Sequence, residues 1–487
     1  MTASARNVAD LVRASAYRGP KHVALVDVTT SGSWTWAEFD AAVDAEAHRL
    51  VRAGVTPGDR VAVRLPTGPG FCVAVFGALR AGGVVVPAGP GQPARELRRL
   101  IEDSGARLLV GDAGEVDVEA LPEPGFEPGE EFTAIGSGED LAVLGYTSGT
   151  SGTPRGAMLS HRALLANVEQ CASLRPAPVT AGDRVLLALP LFHVYGLGPG
   201  LLQVAGAGAT AVLLERFDPD RALTAIREHR VTTLVGVPPM YQAILTLPVE
   251  RLREDLATVR LFTSGAAPLA PGVLDAVRRV VGLPVFEGYG LTETGPVLTT
   301  TLAGEPKAGS VGRALPGVEV RLVDSDGRPL DEDDEPGTGL VSARGANLFG
   351  GYWPDGAHGP DAEGWFRTGD VGYLDADGDL HLVDRAGDLI IVNGFNVYPH
   401  EVEQVVNELP GVAESAAVGV PDERTGESVK VVLVRAAGSG LTEDAVKEHC
   451  GRRLAKFKVP TAVEFADALP HSPTGKLARA RLRLPLT

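Results

Sequence analysis

The sequence predicts an α/β protein: a large N-terminal domain of parallel or mixed sheets layered with helices, followed by a small α+β C-terminal domain. Three observations predict it. Strand-like and helix-like segments alternate, which is the pattern of a parallel sheet covered by helices. Hydrophobic residues make up 44% of the 487 residues, enough for a large core and ordinary for a globular chain. The pattern changes near residues 384–388, and an α+β segment of roughly 100 residues, close to the usual domain size, follows.

The elements read in order. Thr35 and Glu38 form a capping box, with the hydroxyl accepting an orphan helix N–H and the carboxylate reaching back. The helix it opens runs to about Gly54, a glycine stop. RVAVRL from Arg60 reads as a strand, GFCVAVFGALRAG from Gly70 as a helix and GVVVPAG from Gly83 as a strand. The acidic, Pro/Gly-rich residues 121–140 read as a surface connection. LAVLGY from Leu141 is a strand, followed by a loop and then a helix from His161. Similar units follow through VTTLVGVPP from Val231 and VRLFTSG from Val259, and a β-hairpin is expected around Asp326 and Gly327. Beyond the break come a helix from Pro399, strands near Ala413 and Val429, a helix from Leu441 and a strand near Ala462. The predicted domains are residues 1–384 and 385–487.

Composition narrows the function. The net charge is 45 − 62 = −17, so a general nucleic-acid binder is excluded, because the phosphate backbone would be repelled. A bound anion needs positive charge gathered locally. The C-terminal stretch does this, with Arg452, Arg453, Lys456, Lys458, Lys476, Arg479, Arg481 and Arg483 against Glu464 and Asp467. Taken alone, that stretch also fits a solvated basic face. Cys72, Cys171 and Cys450 stand far apart, which excludes zinc spacing and a disulfide framework and fits a reducing compartment. No apolar signal core opens the chain, so the cytoplasm is expected. Residues 185–214 carry no Asp, Glu, Lys or Arg, but Pro190, Pro199 and several glycines make them a buried strand–loop–helix–strand run rather than a membrane span.

The leading chemical motif is YTSGTSGTPRG from Tyr146, read as a loop between a strand and a helix. Its glycines let backbone N–H groups converge and its hydroxyls add donors for phosphate oxygens. It is not the G-x-x-x-x-G-K-[ST] pattern, and by itself it would fit a plain flexible loop. Other motifs follow in order: LPLFHVYGL from Leu189, SGAAPL from Ser264, EGYGLTET from Glu287, GYW from Gly351, WFRTGD from Trp365, DRAGDLIIVNGFNVYPHEVE from Asp384 and HSPTGKLARARL from His471. With these the chain resembles, over nearly its whole length, the acyl-adenylate-forming (AMP-binding) superfamily of acyl-CoA synthetases, aryl-CoA ligases, luciferases and peptide-synthetase adenylation domains.

The resemblance implies an enzyme that joins a carboxylic acid to ATP as acyl-AMP plus pyrophosphate, then passes the acyl group to coenzyme A. It implies ATP contacts from Thr147, Ser148, Gly149, Thr150, Ser151, Gly152, Thr153, Arg155, Ala266, Ala267, Glu287, Gly288, Gly290 and Leu291. Tyr289 would stack on adenine, Thr292 would contact the α-phosphate, and Thr150 and Glu293 would hold Mg²⁺, a hard cation that takes oxygen ligands. Asp370 would grip the ribose hydroxyls, for which an acceptor-only carboxylate is suited, with Arg385 adding a ribose contact near a hinge. Gly394 and Phe395 would meet CoA, and the C-terminal domain would be mobile. Lys476 would bridge the acid and the α-phosphate. At ~4 Å and an effective dielectric of ~20, such a contact supplies about 4 kcal/mol before desolvation, roughly a thousandfold in rate.

Two positions depart from the family pattern. Arg155 stands where lysine is usual, keeping the charge as a planar fork, and Gly387 stands at the hinge where Asp or Lys is typical, leaving backbone rotation free. His193, a gate residue by resemblance, replaces the aspartate of amino-acid-specific domains. Gln242 and Gly288 stand where malonate enzymes carry arginine, which disfavours a dicarboxylate. The acid pocket then comprises His193, Val237, Met240, Gly265, Gly290 and Val297, small and apolar apart from the histidine, with Ala266 beside it. That suits a medium- or long-chain fatty acid or a flat aromatic acid. An acyl carrier protein is the alternative acceptor, although the insertion that marks fatty acyl-AMP ligases is not evident. A non-catalytic nucleotide binder is a third reading, and Thr150, Glu293, Asp370 and Lys476 argue against it.

Overall fold

The computed structural model describes residues 5–147, 154–304, 306–330, 337–385, 387–393, 395–422, 424–471 and 477–483. It is a mixed α/β chain with two compact units. The first comprises Met1–Val320 with Ala343–Phe366, and the second Arg321–Ser342 with Arg367–Thr487.

The first unit holds two sheets. One runs Glu119–Leu121, Leu108–Gly111, Arg60–Arg64, Val84–Pro87, Leu141–Thr147, Arg155–Ser160, parallel throughout except for the last, antiparallel pair. The other contains the parallel run Val285–Gly290, Leu261–Ser264, Thr233–Gly236, Arg184–Leu187, Thr210–Leu213, Val23–Asp27. Strands such as Val84–Pro87 and Thr210–Leu213 are buried at every position, as expected where helices cover both faces. The helix Pro69–Arg80 is buried along its whole length, so it shows no polar face and packs as a core element.

Local signals act as read. Thr35 and Glu38 form the capping box of helix Trp36–Arg52, with Gly54 at φ +89 beyond its end. Gly327, at φ +88, turns the hairpin that returns Leu330 to Leu322. Residues 185–214 form strand, loop, helix and strand, with one feature the pattern did not announce: Gly196–Leu202 winds as a π-helix around Pro199. Such wider turns are frequent at functional sites. No helix among the described residues is long and apolar enough to cross a membrane.

In the second unit, Asp370–Leu374 pairs antiparallel with Leu380–Arg385. A five-stranded sheet centres on Gly426–Arg435, flanked by Val412–Asp422 and Ala462–Ala466. Helices Pro399–Asn407 and Glu443–Gly451 supply Val402, Val406, Val446 and Cys450 to a core against Ile390, Val431 and Leu433. Leu482, fully buried, packs in a separate cluster with Val418, Val432 and Leu469.

The structure corrects the reading of the C-terminal basic stretch as a local excess of charge. Arg453 pairs with Glu408 at 2.9 Å, Lys458 with Glu401 at 2.7 Å, Arg479 with Glu403 at 2.6 Å and Arg452 with Glu448 at 3.3 Å. Their acidic partners lie up to 76 residues away, so a window on the sequence counts the cations and misses the anions.

Candidate active site

The loop motif is not followed directly by a helix, as the sequence suggested; its two flanking strands pair with each other. Leu141–Thr147 pairs antiparallel with Arg155–Ser160, with Thr147 opposite Arg155 and Tyr146 opposite Gly156. The helix His161–Ala172 begins at the far end of the second strand, where Ser160 caps it by accepting from the Ala163 N–H at 3.2 Å. Six residues of strand at ~3.3 Å each set Arg155 about 20 Å from the helix start. Glycine admits close neighbours at two hairpin positions. A Cβ on Gly145 would lie 2.8 Å from Thr292 Cγ2, and one on Gly156 would lie 2.8 Å from Leu144 Cδ1.

Thr292 and Glu293 belong to a short 3₁₀ turn, Thr292–Thr294, between the antiparallel strands Val285–Gly290 and Val297–Thr300. The turn is built by local chemistry. The Leu291 N–H donates to Thr294 Oγ1 at 2.8 Å, and that hydroxyl donates to the Pro296 carbonyl at 2.6 Å. A Cβ on Gly290 would fall 1.8 Å from the Pro296 oxygen, so only glycine fits. Tyr289 is buried on the strand, opposite Thr299. Glu293 is 8% exposed, and its Oε1 accepts from the Tyr352 hydroxyl at 2.5 Å. The Arg155 guanidinium lies over the Tyr352 ring, 5.2 Å from its centroid. Hairpin edge, TET turn and GYW segment are thus in mutual contact. An oriented carboxylate beside a hairpin of this composition fits a hard divalent cation in its donor chemistry.

The SGAAPL loop is tied to the same strand. Glu287, 7% exposed, accepts from the Leu269 N–H at 3.1 Å. Burial pushes its carboxyl up from an ordinary 4.5 to about 7, opposed by that hydrogen bond. Ala266 is exposed and sits at φ +67, a region an L-residue with a Cβ occupies at a cost of roughly 1–2 kcal/mol. Ala267 is half-buried beside it, and Gly288 stands between Glu287 and Tyr289 on the strand.

On the acid side, Val237 and Met240 are buried at 6% and 4% exposure, at the start of helix Pro238–Ile244. A Cβ on Gly265 would meet Tyr195 Cζ at 2.9 Å, so the tyrosine ring rests against that glycine. Val297 is half-buried, its carbonyl accepting from Asn167 at 2.8 Å. His193 is half-buried, and its Nδ1 accepts from the Tyr195 N–H at 3.2 Å. That leaves Nε2 to carry the proton in the neutral ring.

In the second unit, Asp370 and Arg385 face each other in the strand register and form an ion pair, Nε to Oδ1 at 3.0 Å, with Asp370 5% exposed. Phe395 is 56% exposed and stacks on Phe457, ring centroids 4.8 Å apart. The expected contacts of Ser148, Gly149, Thr150, Ser151, Gly152, Thr153, Gly394 and Lys476 lie outside the described residues. Sequence reasoning quoted GYW but gave Tyr352 no role. It also passed over Asn347, which donates to the Thr294 carbonyl at 2.7 Å. The three cysteines are buried and their thiols are shifted upward by desolvation, to about 12 for Cys171 and about 11 for Cys450. None is poised to serve as a nucleophile.

Comparison with known proteins places the chain in a family. The family model "AMP-binding enzyme" matches residues 12–353, and "AMP-binding enzyme C-terminal domain" matches residues 401–476. Feruloyl-CoA synthase of an Amycolatopsis species is 37% identical, covering 92% of this chain and 93% of its own. Long-chain-fatty-acid–CoA ligase FadD13 of Mycobacterium tuberculosis is 33% identical, covering 98% of both chains. The crystal structure of ATP-bound MatB from Rhodopseudomonas palustris superposes with a TM-score of 0.90 at 34% identity, covering 98% of each chain. The chain therefore belongs to the AMP-binding enzyme family, and within it to the AMP-forming acyl-CoA synthetases.

Proposed function

We propose that this ligase activates an apolar monocarboxylic acid, a medium- or long-chain fatty acid in the first reading, and delivers it to coenzyme A. One observation carries the proposal. The residues expected to line the acid pocket, Val237, Met240, Gly265, Gly290 and Val297, are uncharged and leave His193 as the one titratable member, and by the resemblance Gln242 and Gly288 stand where malonate enzymes carry arginine. A flat aromatic acid is the second reading. The Tyr195 ring against Gly265 favours it, as does the similarity to feruloyl-CoA synthase.

In the proposed reaction a carboxylate oxygen of the acid attacks the α-phosphorus of ATP, and pyrophosphate leaves with the bond it breaks. No base is required, because the acid is already ionised at neutral pH. Thr292 and Lys476 contact the α-phosphate, and the Lys476 ammonium offsets the charge that builds there. Glu293 and Thr150 would hold Mg²⁺, which when bound neutralises the pyrophosphate. By the resemblance Tyr289 would stack on adenine, and Asp370 with Arg385, an ion pair in this structure, would receive the ribose. In the second step the CoA thiol adds to the acyl carbonyl and AMP departs. The exposed Phe395–Phe457 pair offers an aromatic platform on the thiol-transfer face. We place the functional division at 384/385, with the turn at Arg385–Asp388, closed by an Asp388 N–H to Arg385 carbonyl bond of 3.0 Å, as the hinge. Three free, buried cysteines suit a reducing cytoplasm.

The test is pyrophosphate release across a panel of fatty, aryl, amino and dicarboxylic acids, followed by product analysis with free CoA and with a holo-carrier protein. Release with fatty acids and acyl-CoA formation support the first reading. Turnover confined to aryl acids selects the second. Strict dependence on a dicarboxylate, an amino acid or the carrier protein overturns both.

A further inference from the structure

We propose that Tyr352 is a positioning residue for the cation-binding carboxylate: its hydroxyl fixes the direction in which Glu293 presents its oxygens. The inference rests on the reading of Glu293 as that carboxylate. Glu293 Oε1 accepts from the Tyr352 hydroxyl at 2.5 Å, and Glu293 is 8% exposed. A charge-assisted bond in so shielded a place is stronger than a neutral one in water. With one carboxylate oxygen held, rotation about the last side-chain bond is blocked and the direction of Oε2 is set.

The ring cannot drift, because its backbone is fastened to the phosphate hairpin. The Trp353 N–H donates to the Gly156 carbonyl at 2.8 Å, Gly350 to Met158 at 2.9 Å and Met158 to Gly351 at 3.0 Å. Residues 350–353 are thus strapped along the strand Arg155–Ser160. The Trp353 indole N–H adds a bond to the Asp103 carbonyl at 2.9 Å. Gly351 makes the path possible: it stands at φ +100, and a Cβ there would fall 2.0 Å from the Gly356 oxygen. Phe349 packs edge-on against the Tyr352 ring at 5.1 Å, while the Phe349 N–H donates to the Glu293 carbonyl at 3.0 Å. Arg155 lies over the Tyr352 ring. One side chain therefore couples the hairpin arginine to the carboxylate, and a shift of the hairpin is felt at Glu293. Outer partners of this kind typically tune metal affinity 10- to 100-fold.

Tyr352→Phe removes the hydroxyl and keeps the ring, the Arg155 contact and the strap. The probe is Mn²⁺ titrated into the full-length protein with a non-hydrolysable ATP analogue, with free Mn²⁺ read by electron paramagnetic resonance. Y352F is expected to need about 10-fold more Mn²⁺ for half-saturation, and the melting temperature of the ligand-free protein is expected to fall by about 2–4 °C through the loss of one charge-assisted bond. E293Q should weaken binding at least as far, and Y352F/E293Q should be no weaker than E293Q alone. If E293Q binds Mn²⁺ like the parent protein, the Glu293 reading fails and this proposal falls with it. If E293Q is weakened and Y352F is not, the proposal alone is overturned. Additive losses in the double variant overturn it as well, since Tyr352 would then act elsewhere.

Discussion

Glu287 should make the first unit less stable as pH rises through neutrality, and Glu287→Gln should abolish that dependence. The carboxyl is 7% exposed and its folded-state pKa stands at about 7 against an ordinary 4.5. Between these values the folded protein holds a proton that the unfolded chain has lost. Stability therefore falls with rising pH across this window and is level on either side of it. A gap of about 2.5 units at 1.36 kcal/mol each amounts to about 3 kcal/mol. Glutamine keeps an acceptor for the Leu269 N–H and carries no charge. Its buried NH₂ adds a cost of roughly 1–3 kcal/mol where no acceptor meets it, but that cost does not vary with pH. The slope, not the intercept, is the test. Denaturant unfolding of both proteins at intervals from pH 5 to 8, following the first unit's transition, gives the difference in stability. It should move in favour of E287Q by about 2.5 kcal/mol across the series, since pH 5 already lies inside the window. A difference that stays flat would refute the assignment of a protonated, desolvated carboxyl at this position.

Three further outcomes are expected. Lys476→Ala should abolish acid-dependent pyrophosphate release while leaving thioester formation from supplied acyl-adenylate intact; normal adenylation would show that the lysine is misassigned. Gly290→Ala drives a Cβ to 1.8 Å from the Pro296 oxygen, so it should cost at least the roughly 1–3 kcal/mol of an overpacked site and remove adenylation, as read by denaturation and product assay; a stable, active variant would show that the turn can relax. Asp370→Asn leaves Arg385 without its anionic partner and, Asp370 being 5% exposed, should lower the melting temperature while raising the KM for ATP at least tenfold; an unchanged KM would remove the pair from the nucleotide site.

Much of the fold was legible because its signals are local. A capping box needs only Thr35 and Glu38, a left-handed turn needs only Gly327, and an apolar run such as Val84–Pro87 marks its own burial. The motif residues were legible for the same reason, since each cluster is contiguous. What was not legible depends on which distant segments the topology brings together. The register that sets Thr147 opposite Arg155 pairs two strands where a strand, loop and helix were expected. The acids that neutralise Arg453, Lys458 and Arg479 lie far from them along the chain. Tyr352 meets Glu293 across 59 residues, and Trp353 meets Asp103 across 250. By itself the sequence nominated the side chains proposed to carry the chemistry and, through its motifs, the family. Only the tertiary structure decided their directions, partners and burial, because desolvation and hydrogen-bond geometry arise where segments remote in sequence share one small volume.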